Sequence, residues 1–507
     1  MPSPTIQAIF VVLFASLVLL WVRNPRRRLP PGPRGLPILG NVIGLRKEYQ
    51  WRHWAKYKDS YGPVSSLCIM GQPIIILNSL KACEDLLEKR SAVYSGRPVS
   101  QFAGEMIGWN LQMILSPYGD RFRSMRKLVA RHIGTNAGIA QFRPAQELEA
   151  RYLLARVCEN PESFLKDIRI SVAAIFLKMS YGYSIERNKP DPLLTVLDTA
   201  AHEFYVATTP GAWLVDTFPS LRHIPAWMPG ASFKKVAEKY RHTNLEQTYR
   251  PLDHVKRRLL DKTAVPSFTS ALLQSELSSL DMETLPFAAT SLFGGGTDTV
   301  VATTSTFVLA MVLFPDVQRK AQEEIDRVVG SSRLPNFDDR EHLPYLAALY
   351  KELLRWHVIG PLGIPHSTTE DDWYGDYFIP KGSLVMTNLW QIANDPEIYD
   401  DPSAFRPERF LGAQSALDPH TFVFGFGRRG CPGQALAGAT VYAFMSASLA
   451  TLKFEPAPEC PPSPEFISGT VSHPKPFKCN IKPRSPSALE TIRAVNAEHP
   501  PEPASQF

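Results

Sequence analysis

A mainly helical α+β body is predicted for this 507-residue chain. Apolar residues recur at helical spacing over several long stretches, strand-like runs are few and short, and no internal repeat is present. With 44% hydrophobic and 21% charged residues, the composition is that of a globular chain rather than a disordered or fibrous one. Length alone would suggest about three domains. No interior charge run or low-complexity linker divides the chain, so one body with tails is expected. The net charge of +6 is mild for this length and argues against nucleic acid, whose binders concentrate basic charge on one face.

The elements follow in order. Thr5–Val22 reads TIQAIFVVLFASLVLLWV, without a charge, and Arg23, Arg26, Arg27 and Arg28 come next. As a helix it would span roughly 27 Å, close to the ~30 Å hydrocarbon core. The positive flank follows the apolar run, opposite to a cleavable signal peptide, and should stay cytosolic. Residues 1–22 are therefore expected to be a membrane anchor. Residues 23–41 form a basic, proline-rich linker, with four prolines and three glycines between Leu29 and Asn41. Residues 42–482 are the catalytic body. Two strands are expected at Val64–Met70 and Pro73–Leu77, and a further β-like stretch at Tyr374–Met386. Helices are expected at Leu80–Arg90, Arg121–His132, Gln146–Cys158, Leu285–Phe314, Pro315–Val329, Leu343–His357 and Gly433–Lys453. Residues 483–507 are polar and proline-rich and read as a disordered tail.

Cys68, Cys83, Cys158, Cys431, Cys460 and Cys479 show no C-x-x-C spacing, and six in a chain this long make no disulfide framework. Most read as small apolar core residues. Cys431 differs. It lies in Phe424–Gly433, FGFGRRGCPG, where Gly425, Gly427, Gly430 and Gly433 permit turns and a close backbone approach. Pro432 suits the first turn of a helix. The helix N-terminus that follows would stabilise a thiolate on Cys431. The bland alternative is a glycine-rich hairpin around an inert cysteine.

This segment matches F-x-x-G-x-R-x-C-x-G, and through it the chain resembles the cytochrome P450 family at Phe424, Gly427, Arg429, Cys431 and Gly433. The resemblance implies a helix-rich triangular body with small sheets behind one N-terminal transmembrane helix. It implies haem b, with Cys431 as the axial thiolate that favours O–O cleavage. Arg429 would pair with a haem propionate.

Other motifs stand in family order. Gly294-Gly295-Gly296-Thr297-Asp298-Thr299 interrupts a long apolar helix, where each glycine costs about 1 kcal/mol relative to alanine. Such a cost suits a close approach to the backbone, or else a packing groove with an incidental Asp-Thr. By resemblance, Asp298 and Thr299 would deliver protons. Glu352 and Arg355 share a helix face at i,i+3. With Arg409 in FRPERF they resemble the family's structural triad. Phe122-x-x-x-Arg126 departs from the usual W-x-x-x-R, so only Arg126 carries over to a propionate. His366 matches a propionate-facing position.

The details PHSTTEDDWY and FPDVQRKAQEEID look most like fungal microsomal members of secondary metabolism, including the O-methylsterigmatocystin oxidoreductase-like group. The implied function is insertion of one oxygen atom from O2 into a lipophilic terpenoid or polyketide intermediate. No flavin or nicotinamide fingerprint is present. The implied donor is an NADPH-cytochrome P450 reductase in the endoplasmic reticulum membrane, with the catalytic body in the cytosol. Arg121, Arg123, Arg126, Lys127 and Arg131 would offer that acidic partner a positive face, or else form an ordinary solvated helix face. Substrate contacts are expected from Phe102–Ile114, Phe204–Trp213, Phe287–Phe293, Val358–Ile364 and Phe466–Val471. The alternatives are a haem-thiolate isomerase or dehydratase needing no reductase, and a non-catalytic haem sensor. An intact Asp298-Thr299 pair speaks against the first.

Overall fold

Backbone contacts in the computed structural model divide the chain into two compact units, where the sequence suggests one body. Residues 29–46, 48–187, 189–498, 500 and 502–505 are described. The expected anchor at Thr5–Val22 and its arginine cluster lie outside the described residues.

The smaller unit holds the chain up to Pro98, Pro361–Ile392 and Gly425–Arg429. Strand β1 (Val64–Ile69) pairs antiparallel with β2 (Gln72–Leu77), in register from Val64 opposite Leu77 to Ile69 opposite Gln72. The turn uses Met70 and Gly71, both at positive φ. Alternation is lost at Ile75, Ile76 and Leu77, which are all fully buried. The expected stretch at Tyr374–Met386 is broken, because Pro380, Lys381 and Gly382 form a turn. The chain makes β3 (His366–Ser367), β4 (Asp372–Tyr374), β5 (Tyr377–Ile379) and β6 (Leu384–Thr387). One sheet runs β1-β2-β6-β3, with β2 and β6 parallel, and β4-β5 is a separate hairpin. The expected helix Leu80–Arg90 is a short α-turn, Leu80–Cys83, that widens into a π-helix at Glu84–Glu88.

The larger unit carries the long helices: α1 (Asp120–Ile133), α2 (Arg143–Glu159), α3 (Phe164–Tyr181), α4 (Pro192–Thr208), α5 (Ser232–Leu260), α6 (Ser279–Leu313), α7 (Pro315–Val328), α8 (Pro344–Trp356) and α9 (Gln434–Thr451). Helix α6 is apolar and long enough to cross a membrane, yet 78% of its most apolar window is buried inside the fold. It is the central core helix, apolar all round because neighbours cover it. Its Gly296 is needed for packing: a Cβ there would lie 2.2 Å from the Phe176 ring of α3.

Strands β7 (Leu452–Pro456) and β8 (Cys479–Pro483) pair antiparallel. The tail beyond them, read from the sequence as disordered, holds one helix. Helix α10 (Pro486–Glu498) forms because the Ser485 hydroxyl accepts from the Ala488 N–H at 3.1 Å, and Pro486 suits the first turn. Ile492 is buried at 2% exposure. Two apolar residues at i,i+3, Leu489 and Ile492, were enough.

The start of α6 is tied electrostatically. Asp281 accepts from Lys127 Nζ at 2.7 Å and Ser124 Oγ at 2.6 Å, and its own N–H donates to the Ser278 cap. Hydrogen bonds from Lys127 first and Ser124 next pull its carboxyl from the ordinary 3.8 to about 2. A depressed folded pKa contributes stability that is complete above about pH 4 and lost as pH falls towards 2. Asp281→Asn should lower stability by about 2 kcal/mol at pH 6 and flatten the acid-side dependence, as read from urea midpoints between pH 6 and pH 3.

Candidate active site

Within the smaller unit, Gly425 and Gly427 take φ of +77° and +53°. A Cβ at Gly427 would lie 2.3 Å from the Leu87 carbonyl oxygen, so no other residue fits. The Gly427 N–H donates to the Glu88 carboxylate. Arg429 donates from Nε to the Ser95 carbonyl at 2.9 Å. Nearby, Arg97 donates from Nη1 to the carbonyls of Ile364 and Pro365, at 2.9 and 2.7 Å. Burial and the charge of Arg429 push the Arg97 guanidinium well below its ordinary value. His366 is buried and shares its Nδ1–H with the Tyr94 carbonyl at 2.7 Å. Burial, then Arg97, holds its ring down to about 3, so it is neutral.

An anion arriving beside these two guanidiniums would be attracted to both, and it would also favour the imidazolium form of His366. Arg97 was not singled out by sequence. Its only local signal is a cation fixed before Pro98 in a loop.

Within the larger unit, Cys431 lies three residues before the start of α9. Its N–H donates to the Phe424 carbonyl at 2.8 Å, and Arg126 Nη1 donates to the Gly430 carbonyl at 2.7 Å. Burial raises the thiol, against the Gly433 N–H, the Arg126 charge and the Gln434 N–H, which lower it. Cys431 is exposed.

On α6, Gly294 and Gly295 are exposed, and a Cβ on either would meet nothing within 4 Å. Taken unit by unit, the donor chemistry suits haem. In the larger unit an exposed thiol with two backbone N–H groups on its sulfur would hold the iron. In the smaller unit the guanidiniums of Arg97 and Arg429 would hold carboxylates. These residues fit the group.

Thr299 Oγ1 donates to the carbonyl of Gly295 at 2.8 Å, while Asp298 is engaged by Tyr205, His473 and Arg169. Asp298 and Thr299 thus bond to different partners. Glu352 and Arg355 are fully buried and bidentate, both bonds at 2.8 Å. Arg409 Nε lies 3.1 Å from Glu352 Oε2. Arg355 also donates to the carbonyls of Ala393, Pro402 and Ala404. This cluster braces α8 against the loop before FRPERF and touches no open space.

The positive face expected on α1 is partly neutralised. Arg121, Arg123 and Lys127 pair with Glu283, Asp120 and Asp281. Of the expected substrate segments, the first two meet. Phe102 stacks on Trp213 at 3.6 Å, and Trp109 packs on Phe204 at 4.5 Å. Phe466 stacks instead on His357, at 3.5 Å.

The family model described as Cytochrome P450 matches residues 30–481. Cytochrome P450 monooxygenase claR of Ampulloclitocybe clavipes is 56% identical over 94% of this chain and 90% of its own. Cytochrome P450 monooxygenase 208 of Postia placenta is 43% identical, covering 96% of this chain and 97% of its own. O-methylsterigmatocystin oxidoreductase of Aspergillus flavus is 36% identical over 97% and 96%. A family match across nearly the whole chain, on a helix-rich fold with small sheets, means that this chain belongs to the cytochrome P450 family and is a monooxygenase of that family.

Proposed function

We propose that the chain is a haem b monooxygenase of fungal secondary metabolism, acting on a lipophilic terpenoid or polyketide intermediate. Electrons come from an NADPH-cytochrome P450 reductase. The observation that carries this reading is Cys431, an exposed thiol just before the start of α9 with two backbone N–H groups on its sulfur. Residues 1–22 anchor the protein in the endoplasmic reticulum membrane, 23–41 link the anchor to the cytosolic body at 42–482, and 483–507 form the tail.

Haem bound through a thiolate supplies the activation of O2, one atom going to substrate and the other to water. The protein's residues do the rest. Cys431 holds the iron, its sulfur stabilised by the N–H groups of Gly433 and Gln434. Phe424 fixes the cysteine backbone through its carbonyl, and Gly433 puts its N–H on the sulfur. Arg126, Arg429 and His366 hold the carboxylates, and Arg97 joins them on its place in the cation cluster. Asp298 and Thr299 move protons. The aromatic pairs Phe102–Trp213 and Trp109–Phe204 offer an apolar wall to substrate.

The test uses membranes containing the protein and a reductase, supplied with terpenoid and polyketide extracts of a fungal host. The expected result is a new oxygenated product with matching consumption of NADPH and O2. Product formed without either would instead indicate an isomerase or dehydratase.

A further inference from the structure

Asp298 is held by three donors reaching it from separate parts of the chain. Tyr205 on α4 donates its hydroxyl to Oδ2, and His473 Nε2 lies 3.1 Å from the same oxygen. Arg169 on α3 lies 3.4 Å from Oδ1 and is itself paired with Asp198. A carboxylate only accepts, so Nε2 of His473 carries a hydrogen. The segment presenting His473 is fixed by its own bonds. Its carbonyl accepts from Ile467 N–H at 2.7 Å, and the Ser472 N–H donates to the Ile359 carbonyl at 2.8 Å.

Burial alone would push the Asp298 carboxyl up, but His473, then Tyr205 and Arg169, hold it down at about 2. Asp298 is therefore a carboxylate at rest and needs a proton source. Its donors are not equivalent. Burial and the Asp298 charge push the Tyr205 phenol up, so it keeps its proton. Arginine does not deprotonate in proteins. Asp198 faces Arg169 and fixes it. Histidine alone among these side chains ordinarily exchanges a proton near neutrality. The His473 side chain is 26% exposed and Asp298 14%, so the imidazole is the more open to water.

We propose that His473 is the point of proton uptake, a positioning residue that passes protons from bulk water to Asp298. The inference rests on the reading of Asp298 as the proton-carrying acid. In the step, the Nε2–H bond of the imidazolium breaks and an O–H bond forms at Asp298 Oδ2. No electrons change hands. The ring is left neutral and is recharged by water. Tyr205 and Arg169 hold the carboxylate in place for the transfer.

The experiment compares wild-type, His473→Gln and Asp298→Asn holoenzymes with reductase, reading NADPH consumption without added substrate, since oxygen reduction consumes protons whatever the substrate. Glutamine keeps an N–H donor but cannot relay a proton. His473→Gln should retain haem, run about tenfold slower or worse, and show a larger solvent deuterium isotope effect. It should also change the pH dependence of that rate, because glutamine has no proton to pass on. Independently of turnover, wild-type holoenzyme labelled with nitrogen-15 histidine should show an imidazole Nε2–H signal that is lost in His473→Gln and shifted in Asp298→Asn, where the carboxylate acceptor is gone.

A His473→Gln enzyme with the wild-type rate, isotope effect and pH profile overturns the proposal, while a slow Asp298→Asn still supports Asp298 as the acid. A slow His473→Gln with unchanged isotope effect and pH profile has only a structural role, which also overturns it. An unimpaired Asp298→Asn overturns both readings. Should His473→Gln lose its haem, a His473 Nε2–H signal in wild type that Asp298→Asn leaves unmoved decides against the proposal.

Discussion

Replacing Cys431 by alanine should abolish oxygenation in cells that also express a reductase. Untargeted metabolite profiles of that strain should match the empty-vector control, with product falling at least about a thousandfold, or ~4 kcal/mol in transition-state terms. The size follows from position. Among the six cysteines, Cys431 combines a helix start, two N–H groups on its sulfur and an exposed thiol. Cys83, by contrast, is wholly buried, with a thiol pushed up by desolvation. Cys83→Ala should therefore leave the product profile intact. Equal profiles from the wild-type and Cys431→Ala strains would refute the assignment.

Removing the Glu352 carboxylate should be the most damaging change away from the cysteine. Glu352→Ala leaves the guanidiniums of Arg355 and Arg409, at 0% and 3% side-chain exposure, without their shared anion. It also strips the acceptor from the Arg406 N–H, 2.8 Å away. Breaking one partner out of a buried pair costs about 3–5 kcal/mol. Against a total stability of roughly 5–15 kcal/mol, much of the protein should fail to accumulate folded. Urea midpoints and soluble yield measure the loss. Replacing Glu352, Arg355 and Arg409 together by apolar residues of similar volume should recover much of it, because no orphaned charge remains. If the single change were harmless, the cluster would not be the brace its geometry describes.

What sequence could show was local. The glycines around Cys431 and the proline after it sit within ten residues, and each has its own conformational reason. Glu352 and Arg355 lie one helical turn apart, so periodicity alone puts them on one face. The partners of Asp298 had no such signal. Tyr205, Arg169 and His473 are 93, 129 and 175 residues away along the chain. Nothing in their local sequence announces that they converge. Arg97 was hidden for the same reason.

The misjudged elements had competing local rules. Leu80–Arg90 reads as one helix, but its backbone widens at Glu84, which side-chain periodicity does not report. Proline and polar residues made 483–507 look disordered, although a serine cap and two apolar residues suffice for α10. Helix α6 is a different case: it was expected as a long apolar helix of the body, although its composition also suits a membrane span. Only its packing shows it to be core.

The bond between Cys431 and iron is tested most directly by the absorption spectrum of the purified wild-type protein, reduced and exposed to carbon monoxide. A thiolate ligand predicts stoichiometric porphyrin and a strongly red-shifted Soret band that is lost in Cys431→Ala. A protein without porphyrin, or one whose Soret band is unmoved by that substitution, would contradict it.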